Sequence, residues 1–346
     1  MGAGNSQPSE EQRREYMERV VRELKRDEDL RRELFAKVAS PAPEDEAKDS
    51  DSNSGNSEPP REPPHKIEHV EMGEAGTTTY RLQARALDEH LSLWHDVPLR
   101  HEGTPYLHFV CEIPKWTKKK FEIATDEHGT PIKQDEKKGV LREFKTGASG
   151  CLFNYGCLPQ TWEDPEHIHP DCGVGGDNDP LDVCEIGMRQ IPTGGIRVVK
   201  VLGVLCMIDE GEADWKILTI DVNDHWAPLL NDVSDVEQHI PGLIDSIREW
   251  FRNYKVADGK PQNSFGLNEE CMPAAYANKI VSECNQSWFD LISGKRTRSD
   301  APKITSLNCN YRLPMLQLSP DQITELQKLS DKEEDEQMSQ HHKALL

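Results

Sequence analysis

Ile196-Arg197-Val198-Val199-Lys200-Val201-Leu202-Gly203-Val204-Leu205 is followed, after a short acidic turn, by Trp215-Lys216-Ile217-Leu218-Thr219-Ile220. Both runs are rich in β-branched and aromatic residues, carry no proline, and are bounded by Gly and Asp/Glu clusters, so both read as strands. The same short pattern recurs from Tyr80 to about Leu230, as in Leu107-His108-Phe109-Val110, with Gly, Pro and Asn/Asp turns between. Short strands at this spacing predict a barrel, and Tyr80 marks the expected start of the folded body. Beyond it, Asp235 to Lys255 predicts one long helix, with Val236, Ile240, Leu243, Ile244, Ile247, Trp250 and Phe251 along one face. Ala274 to Ile292 predicts another, and Asp321 to Leu329 a last one before an acidic tail. No internal repeat occurs at solenoid periods.

The N-terminal part has a different character. Residues 10–38 carry nine acidic and nine basic side chains. Met17, Val20, Val21 and Leu24 share one helix face; Leu30, Leu34, Phe35 and Val38 share another, with Asp27 placed to cap it. This predicts a small helical hairpin able to dock a partner protein. Residues 39–66, with Pro41, Pro43, a polar run from Ser50 to Ser57, and Pro59, Pro60, Pro63 and Pro64, cannot bury a core and predict a disordered linker. The expected domains are therefore an accessory region over 1–66, a catalytic domain over 67–300 and a C-terminal extension over 301–346.

Composition narrows the function. The 346 residues include 62 acidic and 41 basic side chains, a net charge of −21, which disfavours nucleic acid as the main partner. Charge alone fits a merely solubilising surface equally well. No run approaches the ~18 apolar residues of a membrane span, and no secretory apolar segment follows Met1. The nine cysteines are odd in number and form no C-x-x-C, which argues against a zinc site or disulfide framework and predicts reduced thiols in a cytoplasmic location. Met1-Gly2-Ala3-Gly4-Asn5-Ser6 fits the pattern for myristoylation at Gly2. One acyl chain binds membrane marginally, and the following charge-balanced segment adds no second signal, so stable anchoring is not expected.

The densest chemistry is Gly176-Asp177-Asn178-Asp179-Pro180-Leu181-Asp182. Carboxylates this close repel and stay ionised together only beside cations or strong donors. Hard oxygen-liganded ions such as Mg²⁺ are the natural partners. An EF-hand counted from Asp177 would need Gly and Glu where Asp182 and Met188 stand, so that reading fails. A plain Asx-rich turn without metal stays open on these residues alone. Further acids occur at Asp209-Glu210-Gly211-Glu212-Ala213-Asp214-Trp215-Lys216 and at Glu112. Lys120 and Glu122, two apart, would share a strand face, and Asn253-Tyr254-Lys255 closes the long helix. Acids that hold cations, with bases that grip a polyanion, suit metal-assisted hydrolysis of a phosphoanhydride. No P-loop and no dinucleotide fingerprint is present.

These segments resemble the soluble family I inorganic pyrophosphatases in their eukaryotic form. Asp177 to Val183 fits the family's D-x-D-P-x-D-V signature. Glu112-Ile113-Pro114, Asn154-Tyr155-Gly156, Pro159 to Pro165, Asp209 to Glu212, Asp214-Trp215-Lys216 and Trp250 to Lys255 match in the expected order. The resemblance spans about Val110 to Lys260. It implies a β-rich α+β fold, a five-stranded OB-like barrel flanked by helices, in a homodimer. It implies Mg²⁺-dependent hydrolysis of pyrophosphate to two phosphates by a metal-activated water, with Asp179 as general base. Asp177, Asp182 and Asp214 would bind the tightest metal; Asp209 and Glu122 would serve further ions, with Glu112 in the same acidic shell. Lys120, Arg142, Tyr155, Lys216, Tyr254 and Lys255 would bind the phosphates. One departure is Cys151, where the family has a second tyrosine just before Asn-Tyr-Gly. Two other classes fit parts of the pattern: a non-catalytic scaffold acting through residues 10–38, and a hydrolase of longer polyphosphates or nucleotides. Retention of every expected metal-binding aspartate favours the pyrophosphatase.

Overall fold

The computed structural model describes residues 67–86, 89–145, 150–292 and 295–296. Gly2, the hairpin expected over 10–38, the linker over 39–66 and the helix expected over 321–329 lie outside the described residues.

Strands begin earlier than the sequence predicts. β1 (Glu68–Met72) precedes Tyr80 and pairs antiparallel with β2 (Arg81–Ala86). Only Val70 of β1 is half-buried, the rest being exposed, so this polar edge strand carries no hydrophobic alternation to read. β3 (Glu89–Leu91) pairs with the other edge of β2's hairpin. β4 (Leu107–Ile113) belongs to a second sheet, whereas β5 (Phe121–Ile123) and β6 (Ile132–Gln134) complete the first, in the order β1-β2-β6-β5. A two-residue-strand hairpin follows, β7 (Glu136–Lys137) with β8 (Val140–Leu141).

The second sheet holds the long strands. β9 (Asn154–Cys157) and β10 (Asp182–Glu185) lead to β11 (Ile196–Asp209) and β12 (Glu212–Asp221), the two runs that open the sequence argument. Pairing runs β12-β10-β9-β4-β11, and β11 pairs again with β12, so five strands follow one another in a ring. β11 and β12 are joined by a two-residue turn in which Glu210 and Gly211 both have positive φ, 51° and 99°. That turn twists in the sense of the flanking strands and leaves Asp209 opposite Glu212.

Two helical layers cover this sheet. β12 is buried on both faces, which is why Trp215 to Ile220 reads as a continuous apolar run. Ala213, Trp215 and Ile217 pack with Ala277, Ile280, Val281 and Cys284 of a C-terminal helix. Leu218 and Ile220 pack instead with Val236, Ile244, Ile247, Trp250 and Phe251. These latter residues lie on two helices, α1 (Val233–His239) and α2 (Leu243–Asn253), where the sequence predicts one. Pro241 has no N–H to continue the ladder and its ring clashes with the preceding turn, and Gly242 adopts a left-handed φ of 79°. The break turns α2 so that its C-terminal end reaches the end of β11. β13 (Ser264–Phe265) and β14 (Met272–Pro273) add short pairings to β11. The C-terminal helix, α3 (Ala274–Ile292), occupies the expected range and continues past the ring to place Trp288, Phe289, Leu291 and Ile292 under the first sheet with Trp94 and Trp162.

A bulge between Cys111 and Ile113 makes Glu112 the extra residue of β4 opposite β9. The crossing is close: a Cβ on Gly156 would lie 2.0 Å from the Val110 carbonyl oxygen. Gly156→Ala should therefore destabilise the protein by roughly 3 kcal/mol or more, because backbone rather than a flexible side chain would have to move. Denaturant unfolding of the variant checks this, and a loss under about 1 kcal/mol would mean that the strands can part freely.

Candidate active site

Register brings the predicted residues together. Asp182 opens β10 directly opposite Lys216 of β12, and Tyr155 of β9 stands opposite Cys184. Residues two apart on a strand share a face, so Tyr155, Asp182, Lys216 and Asp214 project from one face of three adjoining strands. Tyr155 donates its hydroxyl hydrogen to Asp182 Oδ2. Lys216 donates to that same oxygen at 2.5 Å, to the Tyr155 hydroxyl at 2.9 Å and to Asp214 Oδ1. Its ammonium also sits 5.3 Å and 5.1 Å from the ring centres of Tyr155 and Phe251. Lys216 is buried, which works against its charge, but Asp182 and Asp214 outweigh burial and hold it well above the usual lysine range.

The Asp177–Asp182 segment is clamped to Trp162-Glu163. Glu163 N–H donates to the Asp179 carbonyl at 2.9 Å, Asn178 N–H to the Glu163 carbonyl at 3.0 Å, and the Trp162 indole to Asn178 Oδ1 at 3.1 Å. Asn178 takes a left-handed φ of 77°, a conformation asparagine tolerates better than most residues. The clamp brings one carboxylate oxygen each of Glu163, Asp177 and Asp214 within 4.8 Å of one another. Glu163 lies inside the Pro159–Pro165 motif, and the sequence predicts no role for it. Its signal is the adjacent acid pair Glu163-Asp164 before Pro165. Burial first, then repulsion, from Asp177 on Glu163 and from Asp179 on Asp177, pushes both carboxyls well above the carboxylate range. Asp214 is pushed the same way by burial, against the pull of Lys216. Glu163 Oε1 accepts from Trp215 N–H at 3.0 Å, but its Oε2 is buried with no hydrogen-bond donor.

Two further groups flank this centre. Lys120, just before β5, donates to Glu122 at 2.8 Å and to Asp135 at 2.7 Å; Arg142 donates to the same oxygen of Asp135. Asp135 lies in the charged run Lys133-Gln134-Asp135-Glu136-Lys137-Lys138, which reads as a solvated turn, and no sequence signal singles it out. Glu112, re-aimed by its bulge, is buried and accepts from Ile123 N–H at 2.8 Å. Burial, then Asp182, raises its carboxyl well above the usual range. On the other side, the end of α2 delivers Tyr254, 3.3 Å from Asp209 Oδ2, and Lys255, which donates to that oxygen. Trp250 stacks on Tyr254 at 5.5 Å and Phe251 on Phe153 at 5.3 Å, which fixes that helix end. Asp209 Oδ1 is a second buried carboxylate oxygen without a donor. Cys151 belongs to none of these groups. It is fully buried in the core with Ile113, Phe144 and Phe153, its thiol pushed up to about 12 by burial.

Asp179 stands where these groups meet. Enclosure by the cleft, then repulsion from Asp182 and Glu122, pushes its carboxyl up to about 7, against the pull of Lys120. Water reaches this side chain, so the like charges are the firmer cause. The donor set is all oxygen, and two of its buried oxygens lack a donor. That chemistry fits hard divalent cations, with Glu163, Asp177 and Asp214 close enough together to hold one; Asp182 lies outside that trio, tied instead to Lys216 and Tyr155.

A family model described as inorganic pyrophosphatase matches residues 109–289. The chain belongs to this family. The inorganic pyrophosphatase of Schizosaccharomyces pombe is 49% identical over 228 residues, 65% of this chain and 79% of that protein. That of Neurospora crassa is 46% identical over 258 residues, 74% of this chain and 88% of that one. The solved pyrophosphatase of Schistosoma japonicum is 40% identical with a TM-score of 0.68, covering 73% of this chain and 91% of its own. An N-terminally truncated vacuolar soluble pyrophosphatase of Trypanosoma cruzi, solved with PPi, is 40% identical with a TM-score of 0.63, covering 71% and 98%. The eukaryotic form of the family, read from the ordered motifs, is the form to which these relatives belong.

The position of Glu163 in this pyrophosphatase fold generates a test of opposite signs. Its folded-state carboxyl is raised above the ordinary value of 4.5, so ionising it costs stability, and that cost grows as pH rises from about 4.5 toward neutrality. Glu163→Gln keeps the acceptor for Trp215 N–H and removes the charge. Metal-free, the variant should be more stable than the parent at pH 8 by roughly 1–3 kcal/mol, with the gap closing near pH 4. Its stabilisation by Mg²⁺ should be weaker. Melting curves with chelator and with Mg²⁺ read both, and a variant less stable at pH 8 without metal would refute the assignment.

Proposed function

We propose that this chain is a Mg²⁺-dependent inorganic pyrophosphatase whose acids hold the cations and whose bases and phenols hold the two phosphates. The observation that carries the reading is the meeting of Glu163, Asp177 and Asp214 within 4.8 Å, joined by buried Lys216 to Asp182 and Tyr155. Asp177, Asp182 and Asp214, with Glu163, would hold the tightest ion; Asp209, Glu122 and Glu112 would serve those arriving with substrate. Mg²⁺ held by these acids would supply charge neutralisation and a lowered pKa for water. Asp179 would take the proton of the attacking water, a task that suits a carboxylate standing where the acidic groups meet. The water oxygen bonds to one phosphorus, the bridging P–O bond breaks, and the second phosphate leaves with the bridging oxygen. Lys120 and Arg142, now held by Asp135, would exchange or share that partner with phosphate oxygens. Lys216, Tyr155, Tyr254 and Lys255 would hold the remaining oxygens, the phenols donating without adding charge.

The strand ring, returning from β11 to β12, supports reading the core as the family's five-stranded OB-like barrel. A homodimer follows from the resemblance alone. The described cysteines are free thiols, which suits a cytoplasmic, reducing compartment. No helix among the described residues is long and apolar enough to cross a membrane, and the acidic chain does not suit nucleic acid as partner. Residues 1–66, 67–300 and 301–346 are the proposed accessory, catalytic and C-terminal regions.

Asp179→Asn and Asp182→Asn should each lower turnover on pyrophosphate by about 10²-fold or more while leaving melting behaviour cooperative. Phosphate release measured with Mg²⁺ on pyrophosphate, tripolyphosphate and ATP checks the activity and separates it from the polyphosphate and nucleotide readings. Equal rates on all three, or no release by the parent protein, would overturn it. A chain lacking residues 1–66 should keep nearly all of the parent rate, and a well-folded but inactive truncation would show that the accessory region serves the site.

A further inference from the structure

Two cysteines outside the chemistry lie against each other. Cys172 is half-buried in the strap that runs from Glu166 to Gly176 and delivers Asp177 to the site. Cys206 is buried in β11, shortly before Asp209. Burial, then the neighbouring Cys172 thiol, raises the pKa of the Cys206 thiol. The two side chains meet beside Gly266. A Cβ there would lie 2.8 Å from Cys206 Sγ and 3.5 Å from the Cβ of each cysteine. The strap is otherwise held by backbone and surface contacts. Gly173 N–H donates to the His169 carbonyl at 2.8 Å, Ala213 N–H to the Gly175 carbonyl at 2.7 Å, and Tyr276 to Asp171 Oδ2 at 2.5 Å. Cys172 Sγ has only weak contacts within the strap, to the carbonyls of His169 at 4.0 Å and Val174 at 3.9 Å.

We propose that Cys172 and Cys206 form a reversible intramolecular disulfide that fixes the strap to β11 and weakens Mg²⁺ binding at the site. Cys172, the accessible partner, loses its proton to solvent and attacks a small disulfide such as glutathione disulfide, forming a mixed disulfide and releasing one glutathione thiolate. Cys206 then loses its proton and attacks the Cys172 sulfur, releasing the second. Two protein thiols are oxidised and one disulfide is reduced to two thiols. An S–S bond of about 2.05 Å is shorter than any thiol–thiol contact. β11 is held between two strands and backed by helices, so the strap is the member that moves. Its exit through Gly175-Gly176 leads straight to Asp177, beside Asp214.

The magnesium part rests on the pyrophosphatase reading, so the test includes signals that need no catalysis. The full-length protein is incubated with glutathione disulfide, then examined by intact mass, by peptide mapping and by melting in a Mg²⁺ series. The expected result is loss of two hydrogens, a peptide pair joining Cys172 to Cys206, reversal by dithiothreitol, and a several-fold rise in the Mg²⁺ concentration for half-maximal thermal stabilisation. Cys172→Ser, away from the catalytic groups, should give neither the crosslink nor the Mg²⁺ shift. Glutathione adducts without a crosslink, a disulfide between other cysteines, or a Cys172–Cys206 crosslink with unchanged Mg²⁺ response would each overturn the proposal. Should the serine variant fail to fold, alkylation of Cys172 in the folded parent before oxidation gives the same comparison.

Discussion

A buried ammonium makes the centre of this site tenable. Asp182 and Asp214 project to one face from neighbouring parallel strands, Asp214 buried and Asp182 half-buried, where water screens them little. Without Lys216 between them, burial and mutual repulsion would act unopposed. Lys216 answers both carboxylates and also lies near two aromatic rings, so its own desolvation is offset from several sides. Ring, strand register and helix placement all serve that arrangement. A one-residue slip of β12 against β10 would turn Asp214 and Lys216 to the face packed under α3.

β12 shows how one strand can serve a core and a charged cleft. Ala213, Trp215 and Ile217 point to α3, while Asp214 and Lys216 occupy the alternate positions and give way to Leu218 and Ile220 over α1 and α2. Charge therefore occupies the start of one face and apolar packing its remainder. The broken helix matters for the same reason. With Pro241-Gly242 turning the chain, Trp250 and Phe251 pack onto Phe153 and Tyr155 while Tyr254 and Lys255 arrive over Asp209.

What the sequence made legible follows from how local each signal is. Strand runs around Leu107, Ile196 and Trp215, and the helix from Ala274 to Ile292, announce themselves through propensity and periodicity within a few residues. The cluster Asp177–Asp182 is equally local, and its pairing with Asp209, Asp214 and Lys216 came from the family resemblance rather than from spacing. Glu163 gains its place only when Trp162-Glu163 closes on Asn178-Asp179 through backbone hydrogen bonds, which no pattern encodes. Asp135 looks like any acid in a charged turn until Lys120 and Arg142 converge on it. The helix break was local and readable, since Pro241-Gly242 is a breaker pair, but the apolar stripe on either side hides it. Cys151, where the resemblance expects a second tyrosine, fills core space.

The pairing pattern carries a thermodynamic consequence for the proposed reaction. Four of the acids assigned to cations sit on bases assigned to phosphate: Asp182 and Asp214 on Lys216, Glu122 on Lys120, Asp209 on Lys255. Without ligands these four acids are answered by their bases, whereas Glu163 Oε2 has no donor. A cation that takes a carboxylate frees the matching base for an anion, and an anion that takes the base frees the carboxylate for a cation. Binding of one therefore raises affinity for the other by an equal factor, as linkage requires. Metal and pyrophosphate would thus enter as a neutralised set, and the same charges that stabilise the empty fold would select a substrate that arrives with its own cations.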